Sequence, residues 1–129
     1  MQTFTVNTAG RAQMIDITDE VAGAIGREGV AEGIAVVFVP HTTAGVTINE
    51  NADPTVVRDI LAETAKIAPR DDGYHHTEGN SDAHIKSSLF GPSLTVLVSG
   101  GRPVLGTWQG IYFCEFDGPR TRKVHVAAR

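Results

Sequence analysis

Ile34-Ala35-Val36-Val37-Phe38-Val39, closed by Pro40, is an unbroken apolar run rich in β-branched side chains. It reads as a strand buried on both faces, and proline ends it because its ring has no N–H to give a sheet. Downstream, His41-Thr42-Thr43-Ala44-Gly45 reads as a loop and Val46 to Asn49 as a shorter strand. Upstream, Thr3 to Val6 and Gln13 to Ile17 read as short strands joined around Gly10.

Two helices flank this centre. Thr18 is placed to cap one that runs through Val21, Ala22, Ala24 and Ile25, with Asp19 and Glu20 at its positive first turn and Gly29 or Gly33 as its stop. Asp53-Pro54 is a strong start for the other, because the carboxylate caps it and proline suits its first turn. Val56, Val57, Ile60, Leu61 and Ala65 give it an apolar stripe, and Pro69 lies beyond its end. Residues 70–82 lack periodicity, and Ala83 to Leu89 reads as a short helix carrying His84. Leu94 to Ser99 and Pro103 to Leu105 flank the hairpin turn Gly100-Gly101. A long strand over Thr107 to Phe116 and a return strand over Thr121 to Ala127 follow, joined by Asp117-Gly118-Pro119. The expected architecture is a compact, β-rich α+β domain of residues 1–129 with two main helices.

A formal net charge of -4 argues against nucleic acid as partner, since binding a phosphate backbone draws on many cations. The charge is uneven: Arg120, Arg122, Lys123 and Arg129 fall near the C-terminus with no carboxylate among them, so a local anion site fits an acidic whole. No apolar run approaches the roughly 20 residues that span a bilayer, so no membrane association is expected. The first residues lack a basic segment followed by an apolar one, and the lone Cys114 cannot form an internal disulfide. A cytoplasmic location is the expectation. Cys114 sits in a strand-like run and reads as core filler.

Chemistry concentrates in the histidines. His41 follows a buried strand, His76 lies in the loop opened by Tyr74, and His84 is eight residues further on. Neutral imidazoles suit Zn2+, and three protein ligands leave a position for water or substrate. The bland alternative is a polar loop histidine at 76 and a hydrogen-bonded helix histidine at 84. His75 points away from His76 in an extended segment, and His125 lies between valines on the last strand, where a structural role is the default. Glu50 reads either as a base or ligand-orienting group, or as a solvated carboxylate before a helix. Thr42, Thr43 and Gly45, the pair Arg120 and Arg122, and the Ser99-Gly100-Gly101 turn are candidate anion binders. None forms a P-loop.

Taken in order, His41-Thr42-Thr43-Ala44-Gly45 with Asn49-Glu50, then Tyr74-His75-His76, Gly79-Asn80 and Ala83-His84-Ile85, form a recognisable pattern. With Leu105-Gly106-Thr107-Trp108-Gln109-Gly110-Ile111 and Phe116-Asp117-Gly118-Pro119-Arg120-Thr121-Arg122, it resembles the YjbQ-like family, also described as the secondary thiamine-phosphate synthase family. The resemblance implies a homotrimer with sites near subunit boundaries. It implies a site of His41, His76 and His84 around a divalent metal or anion, with Glu50, Gln109 and Arg120 beside it. The expected metal is Zn2+, with Mg2+ arriving on a diphosphate substrate. The implied reaction joins hydroxymethylpyrimidine diphosphate to thiazole phosphate and releases pyrophosphate, with Thr43, Asn49, Gln109, Arg120 and Arg122 holding the phosphorylated substrates. Two other readings stay open. One is a Zn-dependent hydrolase in which metal-bound water attacks a phosphorylated metabolite and Glu50 relays its proton. The other is a non-catalytic trimer that stores a metal or metabolite.

Overall fold

In a computed structural model describing residues 1–129, the chain begins β1 (Gln2–Asn7), β2 (Gln13–Asp16), α1 (Thr18–Glu28), β3 (Glu32–Phe38) and β4 (Ala44–Glu50). It continues through α2 (Pro54–Ile67), α3 (Ser81–Phe90), β5 (Ser93–Ser99), β6 (Arg102–Pro103), β7 (Gln109–Glu115) and β8 (Thr121–Ala128). The strands form a five-stranded sheet in the order β1-β8-β3-β5-β6 and a three-stranded sheet in the order β2-β7-β4. Every pairing is antiparallel. The architecture is predominantly β, of half-barrel type, with three helices.

That corrects the expected α+β domain with two main helices. The third helix carries little sequence signal because its apolar residues do not gather on one face. Its buried residues are Asp82, Ala83, Lys86 and Ser87, so polar side chains hold it in place. Ser87 Oγ donates to Ala44 O at 2.8 Å, and Lys86 Nζ donates to Asp82 at 2.9 Å. The other two helices start and stop on legible chemistry. Asp53 accepts from Thr55 N–H at the start of α2, and Gly29 takes the left-handed conformation that ends α1. Thr18 is not the cap of α1: its hydroxyl bonds Asp16 and accepts from Ile111 N–H, tying the helix to β7.

The strand read as buried on both faces is buried on one. Ala35 and Val37 of β3 are fully buried, whereas Ile34, Val36 and Phe38 are 47%, 39% and 42% exposed. An apolar run cannot by itself distinguish a covered face from an open one, and here the outer face of the large sheet is open. The two-sided strand is β7. Ile111 and Phe113 pack into a core with Val21, Ala24 and Ile25 of α1 and with Val37, Val96, Val124 and Val126 of the large sheet. Tyr112 and Cys114, on the opposite face, pack with Met14, Ala83 and Phe116 beneath Val57, Ile60 and Leu61 of α2. Each large side chain so buried stabilises the fold by about 1.5–3 kcal/mol. Cys114 is wholly buried, and that burial pushes its thiol pKa well up. No helix is long and apolar enough to cross a membrane.

Candidate functional site

Arg122 occupies an inward position of β8, where the alternation of its neighbours Val124 and Val126 calls for an apolar residue. Its charge is answered by Glu115, the last residue of β7, which is 0% exposed. Arg122 Nε donates to Glu115 Oε1 at 2.9 Å, and Nη2 donates to Glu115 Oε2 and to Thr43 Oγ1. Thr8 Oγ1 and the N–H groups of Phe116 and Asp117 complete the carboxylate's shell. Burial alone would raise the Glu115 carboxyl, but these hydrogen bonds, led by those from Arg122, outweigh it and hold its pKa below the ordinary value. Arg122 Nη1 has no partner in the chain.

Thr43 and Arg122 line a cavity of about 620 Å³, with His41, Asn80, His84 and Arg120 among its other walls. His41 Nε2 accepts from Lys123 N–H at 2.9 Å. Burial first, and then the positive charge of Arg122, lower the imidazole pKa from 6.5, so the ring is neutral at neutral pH. A neutral ring that accepts at Nε2 carries its proton on Nδ1, which leaves an N–H donor available.

Asp117 also lines the cavity. It accepts from Arg11 Nη1, Asn80 Nδ2 and Arg120 Nη2, and its main-chain carbonyl accepts from Arg120 Nε. Arg11 also donates to Gly79 O and Asp82, which joins the 70–80 loop, α3 and the β7–β8 turn at one guanidinium. Burial would raise Asp82 and Asp117, yet Lys86 and Arg11 for the first, and Asn80, Arg120 and Arg11 for the second, bring both below 3.8. Arg120, like Arg122, keeps Nη1 unpaired. Asn80 Oδ1 is the single buried side-chain polar atom without a partner.

The expected site residues therefore divide. His41, Thr43, His84, Arg120 and Arg122 meet at one cavity. His76 packs edge-to-face on His84, with ring centroids 5.3 Å apart, but it lines a separate cavity of about 250 Å³ and faces Glu78. Glu50, Asn49 and Gln109 lie at the far end of the small sheet, where Glu50 pairs with Gln109 while Ala44 pairs with Glu115. At about 3.3 Å per residue, that end is some 20 Å away. There Gln109 braces its own turn by accepting from Gly106 N–H, and Asn49 accepts from Glu50 N–H.

No group of three or more His, Cys, Asp or Glu side chains could hold a metal ion. This overturns the expected Zn2+ site at His41, His76 and His84 and its Mg2+ companion. The physical reason lies in the donors. The Nε2 lone pair of His41 is taken by Lys123 N–H, His76 belongs to another cavity, and the nearby carboxylates Asp82 and Asp117 are bound by arginine, lysine and asparagine. One anion candidate also falls, and another, the set Thr42, Thr43 and Gly45, keeps its threonines at the cavity but loses its glycine. The Ser99-Gly100 turn is filled by Glu32, which accepts from both Ser99 Oγ and Gly100 N–H. Gly45 admits α3 rather than a ligand, since an added Cβ would lie 2.8 Å from Gly91 O.

Glu115, Arg11 and Lys86 escaped the sequence reading because their partners are distant or on a helix of weak pattern. The one usable signal was a carboxylate inside the apolar stretch Ile111 to Phe116, which cannot be buried without a cation.

The pattern described as "UPF0047 protein YjbQ-like" matches residues 2–129. The chain belongs to the UPF0047/YjbQ-like family. It is 53% identical over 123 residues to the UPF0047 protein MJ1081 of Methanocaldococcus jannaschii, covering 95% of this chain and 89% of that protein. It is 50% identical over 127 residues to YugU of Bacillus subtilis, covering 98% and 96%. The crystal structure of an uncharacterized YjbQ/UPF0047 protein from Clostridium acetobutylicum superposes with a TM-score of 0.97 at 54% identity over the whole of both chains. The conserved hypothetical protein TT1486 of Thermus thermophilus gives 0.94 at 42% identity, again over both whole chains.

Proposed function

We propose that the cavity binds the phosphate end of a small phosphorylated heterocycle, and that its reaction joins hydroxymethylpyrimidine diphosphate to thiazole phosphate with release of pyrophosphate. One observation carries this reading: the cavity is lined by three donor-bearing groups with nothing to donate to. They are the Nδ1–H of neutral His41 and the Nη1 atoms of Arg120 and Arg122. Donors without acceptors suit an anion, and arginine suits phosphate oxygens in particular. The motif resemblance supplies the identity of the heterocycles.

The thiazole nitrogen is the nucleophile. It attacks the methylene carbon of the pyrimidine, the bond from that carbon to the diphosphate oxygen breaks, and its electron pair leaves with pyrophosphate. The thiazole becomes a thiazolium, and no protein nucleophile is needed. Charge grows on the leaving oxygen, so donors fixed beforehand stabilise the transition state more than the ground state. A neutral His41 donates there without giving up its proton.

The proposal includes assembly as a homotrimer. Ile34, Val36, Phe38 and Leu97 form an open apolar face on the large sheet, and Phe38 also borders the cavity. Within one chain Glu50, Asn49 and Gln109 are too far away to serve this cavity, and a neighbouring copy is the arrangement in which they would.

Product-resolved mass spectrometry with both heterocycles tests the reaction. Thiamine phosphate and pyrophosphate should appear together, and His41→Ala should slow their formation by about 10²-fold, the usual loss for one preorganised donor. Consumption of hydroxymethylpyrimidine diphosphate without a joined product would overturn the synthase reading. Native mass spectrometry checks the assembly, and a monomer at working concentration would refute the trimer.

A further inference from the structure

Resting on the phosphate-binding reading, we infer that Glu115 is a positioning residue: it clamps the Arg122 guanidinium so that Nη1 alone is presented to the bound phosphate. A guanidinium offers five N–H bonds in a rigid plane. In Arg122, Nε and Nη2 face the two carboxylate oxygens of Glu115, and Nη2 also reaches Thr43 Oγ1. This side-on pairing fixes the plane of the group and leaves one edge free. Glu115 is itself immobilised by Thr8 Oγ1 and by two backbone N–H groups, those of Phe116 and Asp117. The carboxylate is therefore tied to the main chain of the β7–β8 turn, and the arginine is tied to the carboxylate. Both are almost wholly buried, with side-chain exposures of 6% for Arg122 and 0% for Glu115.

The arrangement is costly if its purpose is only to hold the fold. A buried ion pair contributes little net stability compared with a well-packed apolar pair of similar volume. Charge alone does not explain it either. If the site needed only positive charge, a carboxylate against the arginine would weaken phosphate binding. The geometry makes sense when direction matters more than charge. A donor held in place loses no rotamer freedom on binding, and one free nitrogen defines where the phosphate oxygen sits. Arg120 repeats the device in looser form: Asp117 takes its Nε and Nη2 and leaves Nη1, but its side chain is 53% exposed.

The sign of one measurement separates positioning from charge. Inorganic phosphate would be titrated into the full-length protein and into Glu115→Gln and Glu115→Asp, with folding of each checked by circular dichroism. Positioning predicts that both variants bind about tenfold more weakly, a change of 1.4 kcal/mol, although Glu115→Gln raises the net charge by one. Equal or tighter binding by Glu115→Gln would overturn the inference, and so would wild-type affinity in Glu115→Asp. Should the variants fail to fold, the wild-type protein still decides through ¹⁵N-resolved guanidinium NMR. Phosphate should shift the Arg122 Nη1 protons and leave those of Nε and Nη2 in place. Uniform shifts, or averaged Nη signals showing free rotation, would refute the clamp. If the wild type binds no phosphate, the functional reading fails first, and that result is distinct from tight binding in every variant.

Discussion

The two ends of the three-stranded sheet are built on opposite terms. At one end, Thr43, Glu115 and Arg122 are buried, and the Glu115 carboxylate faces Nε and Nη2 of Arg122. At the other, Gln109 and Asn49 are exposed and satisfy only their own turns, and no side chain pairs with the Glu50 carboxylate. The same strands, β4 and β7, run through both. The contrast teaches that side chains sharing a family pattern need not share a physical role. One end is rigid because removing either Glu115 or Arg122 strands a buried charge, whereas the other can change at little cost within a single chain.

The largest test of that contrast is Arg122→Ala. It leaves Glu115 buried without its cation and should destabilise the fold by about 3–5 kcal/mol in urea unfolding. Pairing Arg122→Met with Glu115→Leu should recover much of the loss, because the charge goes with its partner. Next come two glycines. Gly45→Ala at the buried end drives a methyl against the Gly91 carbonyl, which is main chain, and Phe90 Cβ, while Gly110→Ala at the far end brings one within 2.5–2.9 Å of the side chain of Asn51, an exposed loop residue that can shift. Gly45→Ala should cost about 1–3 kcal/mol by overpacking and Gly110→Ala less; the reverse order would break the comparison.

Acid should act on the buried end in two stages. His41 has a folded pKa below 6.5, so its contribution is present above that value and declines as pH falls toward the lower folded one. Asp82 and Asp117, below 3.8, and Glu115, below 4.5, follow in more acid solution, again losing stability as pH falls. Urea midpoints measured from neutral to acid pH should show both stages, and His41→Gln should remove the upper one. The smallest effect belongs to Glu50→Gln, which should change stability by no more than about 0.5 kcal/mol. If it nevertheless slows thiamine-phosphate formation in the intact assembly, the far end serves a neighbouring chain's cavity.

Local chemistry was readable from the sequence. Asp53-Pro54 starts α2, Gly29 stops α1, and Gly100-Gly101, with φ values of 59° and 75°, turns β5 into β6. What escaped depended on partners far along the chain. Thr8 and Glu115 are 107 positions apart, and Arg11 and Asp82 are 71 apart. Periodicity reports only neighbours, so α3, whose buried face is polar, read as a minor helix. The motif resemblance grouped His41, His76 and His84, whereas the structure places His41 and His84 at one cavity and His76 at another. No motif could reveal that the Nε2 lone pair of His41 belongs to Lys123, and that hydrogen bond turns an expected ligand into a donor.

Cys114 gives the fold a built-in clock. As the lone cysteine, buried between the small sheet and the helices α2 and α3 that cover this face, its sulfur can meet a thiol reagent only when those helices lift from β7. The labelling rate of the unmodified protein therefore counts those openings, and its slowing on adding a phosphorylated compound would reveal a bound molecule without any assay for its reaction.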